Sequence, residues 1–274
     1  MYFEILQSIS LNGQVSRPND DRLGATPRRA WVVDGATDLG EPGLLGNQGG
    51  ASWLSSTASL GFAMSQATDV RRACSDMFAY VSQRFEAERT RDVSARWELP
   101  KAAFAVAELG AQQLEVAWAA DCPVLLCRTG DMRWCTGTPD TSREKEDAAA
   151  LGIGDGAAVA LTGNILQDRR AQRMQIDHEA LSPDPEAAAK TTRYATFDVQ
   201  IGDELLIMSD GFCALVSDYN RYDASSLWAE IKTRGLTGLA QELREIERKD
   251  AECRNFPRFK VSDDATAIWL KICG

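Results

Sequence analysis

The chain of 274 residues contains a single histidine, His178, so neither an imidazole-based zinc site nor a histidine-rich catalytic cluster can be assembled from it. It has no pair of cysteines two residues apart. Its seven cysteines, Cys74, Cys122, Cys127, Cys135, Cys213, Cys253 and Cys273, are odd in number and sit mostly in apolar segments. That pattern argues for reduced, buried thiols and a reducing, cytoplasmic setting, not for a disulfide frame or a zinc ribbon. No run of lysine and arginine exceeds two residues and the formal charge is −10, which excludes a basic face for nucleic acid or anionic membrane. No apolar stretch approaches the roughly 18 residues of a membrane span, and the opening "MYFEILQSIS" does not read as a signal peptide. Low-complexity tracts, repeats and Pro/Gly/Ser linkers are also missing. The expectation is one domain over 1–274, read as a monomer.

What is present alternates between two periods. "YFEILQSISL" and Trp31–Val33 read as strands, and the apolar spacing predicts helices over 51–67 and 69–89. "AAFAVAEL", "LEVAWAAD", "PVLLCRT" and "MRWCTG" read as four short strands, with a hairpin signal at 129–131. "TSREKEDAAAL" opens with a capping box and reads as a helix. "ATFDVQIGDELLIMS" reads as two strands about the Gly202–Asp203 turn, followed by helices near 225–234 and 239–251 and a closing strand, "ATAIWLKIC". Antiparallel strands with long helical insertions favour an α+β layered domain over a doubly wound sheet.

Four aspartates share one local setting, the end of an apolar strand-like run. Asp34 follows "AWVV", Asp121 follows "VAWAA", Asp210 follows "LLIMS", and Asp263 precedes "ATAIWL". Asp20 and Asp21 add a further acidic point near the N-terminus. Gly35 and Gly211 directly follow their aspartates and permit close backbone approach. Each Asp-Gly alone is a common turn. Together, clustered carboxylates repel unless a multivalent cation offsets them. An all-oxygen donor set suits Mg²⁺, Mn²⁺ or Ca²⁺, and two such ions can activate a bridging water for phosphoryl hydrolysis. Both readings, turn and cation site, stay open at this level.

The series "RPNDDR", "VVDGATD", "AADCPVLLCRTGDMRW", "IGDELLIMSDGF" and "SDDATAIWL" resembles the metal-dependent protein phosphatases of type 2C, in matching order over almost the whole chain. The resemblance implies a four-layer αββα sandwich, two packed antiparallel sheets flanked by helices, with two Mg²⁺ or Mn²⁺ ions in a cleft at one end. It implies that Asp34 bridges both metals with the Gly35 carbonyl on the second. Asp210 and Asp263 would complete the first metal's shell, Asp21 (with Asp20 as the alternative) would serve the second, and Asp121 a third. Arg17 corresponds to the phosphate-clamping arginine. The implied activity is hydrolysis of phosphoserine or phosphothreonine in a protein substrate by a metal-bridging water, with 136–200 forming a flap beside the cleft.

The chain also departs from the family pattern. "DGATD" replaces Asp-Gly-x-Gly-Gly, alanine stands where some members place a histidine, and "AD" precedes Cys122 where "GD" precedes serine. Asp264 stands where asparagine is common, and the Arg17 register is a residue shorter than in many bacterial members. These departures motivate the rival reading of a catalytically impaired pseudophosphatase acting as a binding module. A haloacid-dehalogenase type is disfavoured, because "DGATD" lacks its Asp-x-Asp spacing. Elsewhere, Asp203 reads as structural, Cys122 as a small buried hydrophobe, "LGNQGG" at 45–50 as a lead-in to a helix, and 84–98 as a solvated helix end and loop. His178, in a polar stretch, reads as exposed.

Overall fold

Strand β4 (Lys101–Leu109) is buried at every position, which is why its sequence runs apolar without alternation: it has an apolar layer on each side. The computed structural model describes residues 1–128, 130–142, 146, 150, 163–175 and 178–274. The expected helix over "TSREKEDAAAL" falls mostly outside these residues. Strand β4 lies mid-sheet in the order β2-β3-β4-β5-β8, with β2 Arg22–Ala25, β3 Arg29–Ala36, β5 Gln113–Ala119 and β8 Arg193–Asp198. The second sheet runs β1-β10-β9-β6-β7, with β1 Tyr2–Leu11, β6 Val124–Arg128, β7 Asp131–Trp134, β9 Glu204–Met208 and β10 Ala265–Cys273. All ladders between named strands are antiparallel.

Three apolar layers follow from strand alternation. Val32, Ala105 and Val116 face Val124, Ile207, Ile268 and Leu270 between the sheets. Trp31, Val33, Phe104 and Val106 point the other way, against α1 (Gly50–Met64) and α2 (Val70–Glu88). Leu206, Met208 and Trp269 do the same on the far side, against α5 (Asp210–Ser217) and α6 (Ala224–Lys249). Among the described residues, helices α3 (Gly163–Met174) and α4 (Pro185–Thr191) come between β7 and β8. The result is the expected αββα arrangement of an α+β protein.

Several boundaries differ from the sequence reading. Strand β3 extends through Asp34 to Ala36 because Asp34 keeps its pairing with Ala103. Strands β8 and β9 are not a hairpin: they belong to different sheets, and the Gly202–Asp203 turn carries the chain between them. Asp203 anchors that crossing, buried and bound by Arg128 at 2.7 Å, which bears out its structural reading. The two C-terminal helices are continuous apart from a kink at Gly235, where φ is 66°. Strand β2 and helices α3 and α4 were not anticipated. For α4 the signal was legible, since Asp184 caps the helix just before Pro185. The segment 84–98 is less solvated than expected, because Glu98 is buried and accepts a two-pronged contact from Arg91.

A buried ion pair ties the end of α1 to the central strands. Arg29 contacts Glu108 at 2.6 Å, and its remaining donors reach the carbonyl of Phe62 in the last turn of α1 and those of Ser65 and Ala67 just beyond it. Removing one member leaves the other charge stranded in the core. Arg29→Met is therefore expected to lower unfolding free energy by about 3–5 kcal/mol in urea titrations, and more than Arg89→Met, whose ion pairs lie at the surface.

Candidate metal centre

Asp34 sits opposite Ala103 on the inner face of its sheet, at the end of the sandwich where β9 gives way to α5. The junction is abrupt: Ser209 is the N-cap and Asp210 the first helical residue. The Asp-Gly at 210–211 is thus the start of a helix, not a turn. An added Cβ at Gly211 would drive into the backbone carbonyl of Asp264, and one at Gly35 would come within 2.7 Å of the Ala51 carbonyl and 2.8 Å of that of Asp20. Both glycines are demanded by close packing of backbone around the acidic residues. Gly211→Ala is expected to push the loop before β10 off α5, seen as a lower Tm and loss of the Asp263–Asp264 amide signals from their wild-type NMR positions.

The carboxylates act on one another. Burial, then the charges of Asp21 and Asp210, holds the Asp34 carboxyl well above the usual range. Burial, then Asp121 and Asp263, does the same for Asp210. Burial pushes Asp21, only 2% exposed, up to about 7, with Asp263 and Asp264 adding to it. Asp20 is pushed up to about 6 by burial, then by Asp264 and Asp38. Both Asp21 carboxylate oxygens and Asp210 Oδ1 are buried without a hydrogen-bond partner. Unpartnered buried carboxylate oxygens are costly, and an oxygen-binding divalent cation would satisfy them. The donor set present, carboxylates and backbone carbonyls, fits Mg²⁺ or Mn²⁺. Among the described residues, however, no three acidic, histidine or cysteine side chains already stand in a ready-made coordination geometry.

The sequence-derived candidates sort as follows. Asp34, Asp121, Asp210, Asp263, Gly35 and Arg17 line one cavity of about 640 Å³. Asp21 lies behind its wall, and Asp20 is half-buried with its amide bound to Asp264. Asp121 and Arg17 are exposed at the cavity. Asp264 accepts from the amides of Gly13 at 2.7 Å and Asp20 at 2.6 Å, pinning the N-terminal loop that carries Arg17 and Asp21. Asp38, in the altered "DGATD" loop, accepts from the Gly50 amide at the start of α1 at 2.5 Å. Two of the departures from the family pattern, Asp264 and Asp38, therefore have structural uses. Cys122 is buried, with its thiol pKa raised by burial and then by Asp34. His178 is a correction: it is half-buried and lines the cavity, with Nδ1 buried and unpartnered.

Sequence reasoning missed two cations. Lys260 Nζ contacts both Asp263 oxygens, at 2.7 and 2.8 Å. The loop bearing it is built around Asp250, which accepts from the amides of Arg254, Asn255 and Phe256 and from Arg258. The spacing of Lys260 three residues before Asp263 was the available signal. The other is Lys101, a charged residue heading an apolar strand.

A family model for protein phosphatase 2C matches residues 14–246. The chain belongs to the protein phosphatase 2C family. Among solved structures, this family member resembles the catalytic domain of the serine/threonine phosphatase PstP in complex with two manganese ions, with TM-score 0.60 and 14% identity over 100% of this chain and 99% of that one. It resembles PppA of Pseudomonas aeruginosa, a regulatory component of T6SS, with TM-score 0.56 and 16% identity over 99% and 98%. The phosphatase MsPP of Mycobacterium smegmatis, in complex with cacodylate, gives TM-score 0.54 and 18% identity over 98% and 99%. These likenesses establish the shared fold. No curated protein sequence matches the chain. Among the described residues no helix is long and apolar enough to cross a membrane.

The raised carboxyls set a pH dependence. Asp21 has a folded pKa near 7 against an ordinary value of 3.8, so the folded state holds the proton more tightly than the unfolded chain. That stabilisation is complete below about pH 4 and is lost as pH rises through about 7. The Tm of metal-free protein is expected to fall by roughly 5 °C or more between pH 5 and 8. Added Mn²⁺ should reverse the fall at pH 8, and Asp21→Asn should flatten it. A flat metal-free profile by scanning calorimetry would contradict this.

Proposed function

We propose that the chain is a metal-dependent phosphoprotein phosphatase acting on phosphoserine or phosphothreonine. The observation that carries this reading is the cluster of carboxylates Asp21, Asp34, Asp210 and Asp263 at the end of a protein phosphatase 2C fold, in which both Asp21 oxygens and Asp210 Oδ1 are buried and unpartnered. Asp34, Asp210 and Asp263 would hold one Mg²⁺ or Mn²⁺; Asp34, Asp21 and the Gly35 carbonyl the second; Asp121, beside Asp210, a third. When bound, such ions supply a nucleophilic water at neutral pH and neutralise phosphoryl charge. The manganese-bound PstP neighbour supports the choice of metal.

The chain's own residues do the rest. The rigid pairing of Asp34 in β3 and the helix start at Asp210 hold their carboxylates in place, so little freedom is lost on loading. Arg17, exposed at the cavity, offers a planar fork suited to phosphoryl oxygens. Lys260, bound to Asp263, keeps a positive charge at the same mouth. Helix α3 lines the cavity through Ile165, Arg169 and Arg173, in keeping with 136–200 serving as a flap within a single domain over 1–274. A reducing cytoplasm suits the seven free cysteines.

Purified protein with Mn²⁺ is expected to hydrolyse p-nitrophenyl phosphate and a phosphothreonine peptide. Asp34→Asn or Asp210→Asn should lower kcat by at least about 10³-fold, the scale of losing a principal electrostatic group. Wild-type protein that binds Mn²⁺ and phosphopeptide without turnover would favour the pseudophosphatase reading instead.

A further inference from the structure

The cavity holding the acidic cluster has a second wall of opposite sign. Lys101 opens β4 opposite Ala36, two residues before Ala103, the partner of Asp34. Its side chain therefore leaves the sheet on the same face as Asp34, about 7 Å further along. Lys101 is 2% exposed and Arg173, on α3, is 8% exposed. No described residue accepts a hydrogen bond from the ammonium of Lys101 or the guanidinium of Arg173. His178 completes the group with its buried, unpartnered Nδ1. All three line the same cavity as Asp34 and Asp210.

Their charges act on one another. Burial pushes Lys101 down to about 8, with Arg96 and Arg173 adding to it and Asp184 opposing. Arg173 is pushed down to about 10 by burial, against the charge of Asp38. His178 is lowered by burial, then by Lys101 and Arg173. The described carboxylates nearby are already engaged elsewhere: Asp184 caps α4 and binds Arg96, Asp38 binds the start of α1, and Glu179, which also lines the cavity, pairs with Arg193. A buried cation without a counter-ion is expensive, and two beside an imidazole facing open space form a site for an anion.

We propose that Lys101, Arg173 and His178 form a second anion subsite, which receives a phosphate or carboxylate carried by the substrate close to its scissile phosphoester. The inference rests on the phosphatase reading and narrows its substrate class to peptides with a second anionic residue beside the phosphoresidue. The Arg173 fork and the Lys101 ammonium suit a phosphate best, with a carboxylate as the weaker occupant.

The test compares one phosphoserine peptide whose neighbours, within about three residues of extended chain, are alanine, aspartate or a second phosphoserine. With Mn²⁺, wild type is expected to favour the doubly phosphorylated peptide over the alanine peptide by about tenfold or more in kcat/KM, the size of one charge-assisted contact. The aspartate peptide should fall between them. Lys101→Met and, separately, Arg173→Gln should bring the ratio close to one, with folding checked by Tm. The same peptides are also titrated against metal-free protein by fluorescence anisotropy, where the ordering should persist without turnover.

Hydrolysis of all peptides at equal efficiency, or a preference that survives both variants, would overturn the subsite and leave the phosphatase reading intact. Absence of hydrolysis with the binding preference retained would overturn the phosphatase reading and leave the subsite. Equal binding and no hydrolysis would remove both.

Discussion

Mutual repulsion among carboxylates that the backbone will not let separate is the constraint on which the rest depends. Asp34 is held by the β3–β4 ladder, Asp210 by the first turn of α5, and Asp263 by the loop before β10. None of these backbones can move away without undoing a strand pair, a helix start or a loop anchor. The cost appears as raised carboxyl pKa values, unpartnered oxygens and a lysine bound against Asp263. A fold tolerates such an arrangement where the charge is offset by something bound, and an oxygen-only donor set suits a hard divalent cation.

The αββα layering explains why the cluster can be held so firmly. Two antiparallel sheets share an apolar interior, and each carries helices on its outer face, so residues at the end of the gap project from backbone fixed on both sides. Gly35 and Gly211 let neighbouring backbone approach within contact of these aspartates. Two of the residues that depart from the family pattern are put to use in the same framework. Asp264 gathers two amides of the N-terminal loop and Asp38 caps α1. They are accounted for by local hydrogen bonding, without invoking lost chemistry.

Opposite charge on the facing wall gives the cavity a polarity. One side is acidic and suited to cations; the other presents Lys101 and Arg173 from β4 and α3. A phosphorylated chain lying across it would meet metal at one end and fixed cations at the other. Positive charge at both points would also shield an anionic ligand from the acidic face and from the chain's overall charge of −10.

Local signals were sufficient for much of this protein. Apolar runs, alternating or continuous, marked nearly every long strand, Asp69 and Asp223 mark helix starts by capping, and the Asp-Gly motifs in order carried the resemblance to the type 2C phosphatases. These features depend on nearest neighbours along the chain, so a single sequence carries them. The sheet membership of β8 and β9, the burial of His178, and the meeting of Lys101 with Arg173 depend on contacts between segments far apart, and no local pattern encodes those. Whether a lone lysine before an apolar strand lies in solvent or in a cavity is decided by what packs over it, and here the pairing of Ala102 with Leu181 and the cavity wall that α3 contributes made that choice.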